Sequence, residues 1–125
     1  MSHFEKLGGE PKLRAIVNDF VDRCFDDAMI GFLFQRAERE RIKRFEYEHA
    51  AEHLGGPVRY EGRPLDEAHG PHRIFGGQFA RRRQLLLDTL RDHDAPTDVI
   101  DAWIEHQESL RELITKDPGS DCRGQ

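Results

Sequence analysis

The chain has 125 residues, 37% of them hydrophobic and 34% charged, enough to enclose one compact core and too short for two. Its 19 Lys and Arg against 24 Asp and Glu leave a formal net charge of -5, a field that repels phosphate backbones and argues against nonspecific nucleic-acid binding. No apolar run is long enough for a membrane span and no amino-terminal stretch has the build of an export signal, so the expectation is a cytoplasmic protein without a membrane partner.

In chain order, Ser2 and Glu5 have capping-box spacing for a short helix carrying Phe4 and Leu7, which Gly8-Gly9 stops. Pro11 suits a first helical turn, and Leu13, Ile16, Val17, Phe20, Val21, Cys24 and Phe25 recur at steps of three and four, predicting a helix over 11–25. Met29, Ile30, Phe32, Leu33 and Phe34 form an apolar knot too short for a long helix, read as a tight corner that plugs the core. Residues 37–54 read as a second long helix with Ile42, Phe45, Glu46, His49, Ala50 and His53 on one stripe. Gly55-Gly56-Pro57 ends it, and the glycine- and proline-rich stretch 58–75 is irregular apart from a short helix near 64–69. A helix over 77–92 turns Phe79, Leu86, Leu87 and Leu90 inward. The last helix starts with Thr97 as N-cap after Pro96 and carries Ile100, Trp103, Ile104, Gln107, Leu110 and Ile114. The fold class is all-α, with one domain over 1–115 and a disordered polar tail over 116–125. Of the two cysteines, Cys24 lies on an apolar stripe and Cys122 in the polar tail, so neither a disulfide nor a thiolate metal site is expected.

The stripe of the second long helix breaks the amphipathic rule: Glu46 and His49 occupy slots where Leu or Phe belongs. Polar groups turned inward, with a histidine between helix breakers, indicate a cavity that holds a cofactor. An iron porphyrin needs a fixed imidazole, an aromatic clamp, apolar walls and cations near its propionates. His69 is the candidate axial ligand and Phe34 the clamp. Ile42, Phe45, Ile74, Phe79, Leu86 and Trp103 are wall candidates, and Arg73 or His72 is the candidate propionate partner.

These residues carry a family resemblance. Phe4-x-x-Leu7-Gly8-Gly9, Asp19-Phe20-x-Asp22 and above all Leu54-Gly55-Gly56-Pro57-x-x-Tyr60-x-Gly62-Arg63-x-x-x-x-Ala68-His69 resemble the truncated haemoglobins of group I, and the match continues through Ile74, Phe79 and Ala95-Pro96. The resemblance implies a two-over-two helical sandwich around haem b, with His69 as proximal metal ligand, Phe34 packed on the porphyrin and Tyr60 among the cofactor-facing residues. It implies a ligand pocket of Val21, Ile42, Phe45, Glu46 and His49, oxygen, nitric oxide or carbon monoxide as ligands, a separate reductase, and a monomer or weak dimer. The chain departs from the pattern where the family's distal tyrosine falls on Val21, which removes a hydrogen bond worth about 1 kcal/mol from a bound ligand. The distal position one turn after Ile42, commonly Gln, falls on Glu46. Flanked by Val21, Ile42 and Phe45, that carboxyl is expected to be desolvated and neutral, and with His49 at i+3 to form an ion pair or proton relay. That arrangement suits turnover of peroxide or oxidation of nitric oxide, the alternative to simple gas binding.

Other readings attach to other residues. His3, His93 and His106 read as surface histidines and His53 as a residue at a helix end. Arg81-Arg82-Arg83 point three ways around a helix and read as a solvated face with one residue near haem carboxylates. The pairs Glu46-x-x-His49 and Asp66-x-x-His69 imitate di-iron spacing, but the facing stripes lack the further glutamates such a site requires. A haem-free interaction module is the third class.

Overall fold

The computed structural model describes residues 1–61 and 76–111. Within these residues five helices run α1 (His3–Leu7), α2 (Gly9–Asp26), α3 (Arg39–His53), α4 (Gly76–Asp92) and α5 (Thr97–Ser109), with a 3-10 turn at Gly31–Phe34 between α2 and α3. Among the described residues there is no strand. α2 packs on α3 and on α4, α4 on α5, and α1 bridges α2 and α5. The result is two helix pairs, α2 with α3 and α4 with α5, stacked around a shared core.

Local chemistry sets the helix ends. Ser2 accepts from the Glu5 backbone N–H while the Glu5 carboxylate accepts from the Ser2 backbone N–H, a complete capping box at the start of α1. Phe4 N–H donates to Leu54 O at 2.9 Å, so α1 is fastened to the end of α3. There the Gly56 N–H donates to Ala51 O and the Gly55 N–H to Glu52 O, with Gly55 at φ +87°. This Schellman cap requires left-handed backbone, which glycine adopts without a Cβ clash. The same pair of bonds closes α4, from Ala95 to Leu90 and from Asp94 to Arg91, with Asp94 at φ +56°.

The expected stripes are largely the buried ones. Leu13, Ile16, Val17, Phe20, Val21 and Cys24 of α2 are buried, as are Phe79, Leu86 and Leu90 of α4. Burial pushes the Cys24 thiol up to about 12, an inert small hydrophobe.

Several boundaries differ from expectation. α2 begins at Gly9, two residues before Pro11, and α3 at Arg39. The N-cap of α5 is Pro96, and Thr97 is its first helical residue with no side-chain cap bond. The knot at 29–34 is only partly a plug: Ile30 is buried, whereas Met29 and Phe32 are 57% and 54% exposed. A 3-10 turn has three residues per turn, so residues in this short run face different ways and only some reach the core. Tyr47 was not expected in the core, yet it is buried, and Arg14 Cζ lies 4.0 Å above its ring. No helix among the described residues is long and apolar enough to cross a membrane.

Candidate functional site

α3 sets the site because its sequence lacks a clean apolar face. Its buried residues are Tyr47, Ala50 and Ala51, a narrow seam that packs on α2. The next stripe round the helix, Ile42, Phe45, Glu46, His49 and His53, is half-buried and faces the α4/α5 pair.

Opposite His49 and His53 stands His106 of α5. The His53 and His106 rings stack at 4.0 Å, His49 lies 5.2 Å from His106 and 5.9 Å from His53, and Trp103 meets His53 edge-on at 5.8 Å. Nε2 of His53 and Nε2 of His106 are buried without a hydrogen-bond partner, an expensive state for polar atoms. Burial depresses the basicity of all three imidazoles, with neighbouring imidazoles adding to it for His53 and His106; His53 falls from 6.5 to about 3. His106 is therefore no plain surface histidine. Nor is His93, whose Nε2 lies 2.9 Å from Asp19 Oδ2, and Nδ1 of His3 is itself buried and unpartnered.

The arginine run is likewise not a solvated face. Arg81 reaches Asp27 at 2.7 Å, Arg83 pairs with Glu108, and Arg82 donates to both Glu46 and the buried Gln107. The sequence set Glu46 beside His49; in the structure the carboxylate accepts from Arg82 instead, across 36 residues of chain. Arg82 Cζ also lies 4.9 Å over the Phe20 ring. The guanidinium thus joins α2, α3, α4 and α5 at one point.

The remaining candidates lie in or against the core, or at its edge. Val21, Phe79, Leu86 and Trp103 are buried and Ile42 packs against the core. Phe45 is half-buried, 6.0 Å edge-on to Tyr60, whose ring lies 5.4 Å from His49. Phe34 stacks on Phe25 at 4.8 Å. Asp27 makes that corner: its carboxylate accepts from the backbone N–H groups of Met29 and Ile30, and the Arg81 guanidinium holds it below the usual carboxylate range. His69, His72, Arg73 and Ile74 lie outside the described residues, as does Asp66. Among the described residues no group of three or more His, Cys, Asp or Glu is arranged to hold a metal ion.

Two helix pairs with a polar inward stripe on one of them define a shortened globin sandwich. Residues 2–116 match the bacterial-like globin family, and the chain belongs to that family. It is 27% identical to the group 1 truncated haemoglobin GlbN of Mycolicibacterium paratuberculosis over 99 residues, 79% of this chain and 73% of that one. It is also 27% identical to a group 1 truncated haemoglobin of Tetrahymena pyriformis over 114 residues, 91% of each. The crystal structure of the truncated haemoglobin from Tetrahymena pyriformis in its Fe(III) form superposes with a TM-score of 0.87, at 24% identity, covering 94% of this chain and all of that one. The two-over-two globin fold expected from the sequence is the fold observed.

Proposed function

We infer that the chain holds one haem b between its two helix pairs, with His69 as axial ligand, and takes oxygen or another small gaseous ligand on the opposite side. The observation that carries this reading is the unsatisfied seam between α3 and α5. The buried Nε2 atoms of His53 and His106 have no hydrogen-bond partner there, and the half-buried stripe of α3 carries the polar Glu46 and His49 where a dry seam would have apolar residues. Such a seam is a weak contact between helices and a suitable wall for a flat, amphipathic group. The apolar residues fit the same group: Val21, Phe79, Leu86 and Trp103 exclude water, and the Phe25–Phe34 stack offers an aromatic edge at the corner. Bound haem supplies ligand binding and one-electron chemistry at its iron. The chain supplies orientation, exclusion of water and, from Arg73 or His72, charge for the propionates.

Val21 offers no hydrogen-bond donor and Glu46 is engaged by Arg82 as an accepting carboxylate, so donation to a ligand on this side falls to His49 or the guanidinium that holds Glu46. On the same reading the protein is a cytoplasmic monomer or weak dimer served by a separate reductase. Titration of the purified protein with haem, followed by absorption in the ferric, ferrous and carbon monoxide forms, is expected to saturate at one haem per chain with a Soret band that shifts on reduction and on ligand addition. A protein that yields no Soret band, or takes up haem without a stoichiometric end point, overturns the reading.

A further inference from the structure

Arg82 stands where a helix stripe calls for an aliphatic residue. On α4 the inward positions run Phe79, Arg82, Leu86 and Leu90, at steps of three and four, and the other three are buried. A half-buried charge in such a slot costs desolvation that an apolar side chain would avoid, and side-chain exposures of 24% for Arg82 and 18% for Glu46 leave the pair only partly screened. Its position is informative. The guanidinium lies over Phe20 at 4.9 Å, the residue next to Val21, and its charge is felt by Cys24 one turn further on. It thus serves the stretch of α2 whose Val21 lacks a hydroxyl.

We propose that Arg82, anchored by Glu46 and Gln107, is the specificity-determining residue of the ligand pocket and makes it selective for small anions of the nitrite and azide class; this rests on the haem-binding reading above. A guanidinium carries five N–H donors. Among the described residues two of them are used, one on Glu46 and one on Gln107, so three are left for a ligand. The two anchors fix the plane of the fork, and a planar fork matches a bent or linear anion better than the point charge of a lysine does. Glu46 sets the strength of the attraction. It neutralises the guanidinium while the pocket is empty and competes with an arriving anion for it.

The test is equilibrium binding of azide and nitrite to the ferric haem-loaded protein at neutral pH, followed by absorption, with imidazole and, after reduction, carbon monoxide as neutral ligands. In Arg82→Leu, anion affinity is expected to fall by about tenfold to a hundredfold, the scale of a hydrogen bond to a charged group. The neutral ligands are expected to change by less than about twofold, and Arg82→Lys to recover part of the anion affinity. Glu46→Gln keeps the guanidinium and removes its competitor, so azide is expected to bind more tightly, which keeps the test decisive if Arg82→Leu does not fold. Equal effects on azide and imidazole in Arg82→Leu, or unchanged azide affinity in both variants, overturn the proposal while the Soret band preserves the haem reading. Absence of a Soret band in the unsubstituted protein overturns both.

Discussion

In the cluster of three imidazoles, where His53 stacks on His106 and His49 lies beside both, burial ties the charge state of a single residue to folding. His53 is the deepest case, brought from 6.5 to about 3 by burial first and then by His106, His49 and His3 around it. On His49 the charges of Glu46 and Glu52 oppose burial and that of Arg82 reinforces it. Because the folded state holds His53 neutral, the unfolded chain binds its proton first as pH falls. Stability from this residue is therefore complete above about 6.5 and is lost progressively down to about 3. A fully linked proton is worth about 1.4 kcal/mol per pH unit in that window. Melting temperature measured against pH is expected to drop below neutrality, and His53→Leu to flatten the drop; an unchanged slope in that variant contradicts neutral burial of the ring. The sequence made His49 visible as an inward residue on α3 and placed His53 on the same stripe, but read His53 as a helix-end residue. It left His106 on the surface, because a histidine on α5 shows its burial only when α3 lies opposite it. Arg82 was hidden for a related reason: in a run of three arginines each charge reads as solvated, and its partner Glu46 lies 36 residues away.

At the level of elements, the corner between α2 and α3 positions Phe34 and depends on one missing side chain. A Cβ on Gly31 would sit 2.6 Å from the Phe25 carbonyl oxygen, a backbone atom that cannot move aside without shifting the end of α2. Gly31→Ala is expected to cost about 1–3 kcal/mol, the range for overpacking, and to disturb the Phe25–Phe34 stack. Chemical denaturation checks the first and near-ultraviolet circular dichroism the second; a variant as stable as its parent contradicts the tight approach seen here. The helices themselves were legible because a period of 3.6 leaves its mark in α2 and α4 whatever the surroundings. Their exact starts were less so. Pro11 and Thr97 are good local start signals, but α2 is entered directly from the Gly8 turn and α5 is capped by Pro96. The corner was legible as a corner, while its exposed Met29 and Phe32 follow from three-residue turn geometry that apolar composition does not report.

For the whole molecule, the proposed haem site falls at the weaker of the two contacts between the helix pairs. The two helix pairs meet well through α2, where Leu13, Ile16, Val17 and Phe20 are buried, and poorly through α3 and α5, where imidazole nitrogens go unsatisfied. A group that binds the folded chain stabilises it in proportion to the logarithm of its concentration over its dissociation constant. The family and the two-over-two architecture were readable from the run Leu54 to His69 together with the stripes, although His69 itself lies outside the described residues. What no single stripe contained was the convergence of four helices on Arg82, which exists only once α2, α3, α4 and α5 are assembled.

The most direct measurement of the central claim is the absorption spectrum of His69→Ala beside His72→Ala, each purified and titrated with haem. Ligation through His69 predicts that its alanine variant loses the axial imidazole signature and most haem affinity, while His72→Ala keeps the parent spectrum. A His69→Ala protein with full pigment and an unaltered spectrum contradicts it.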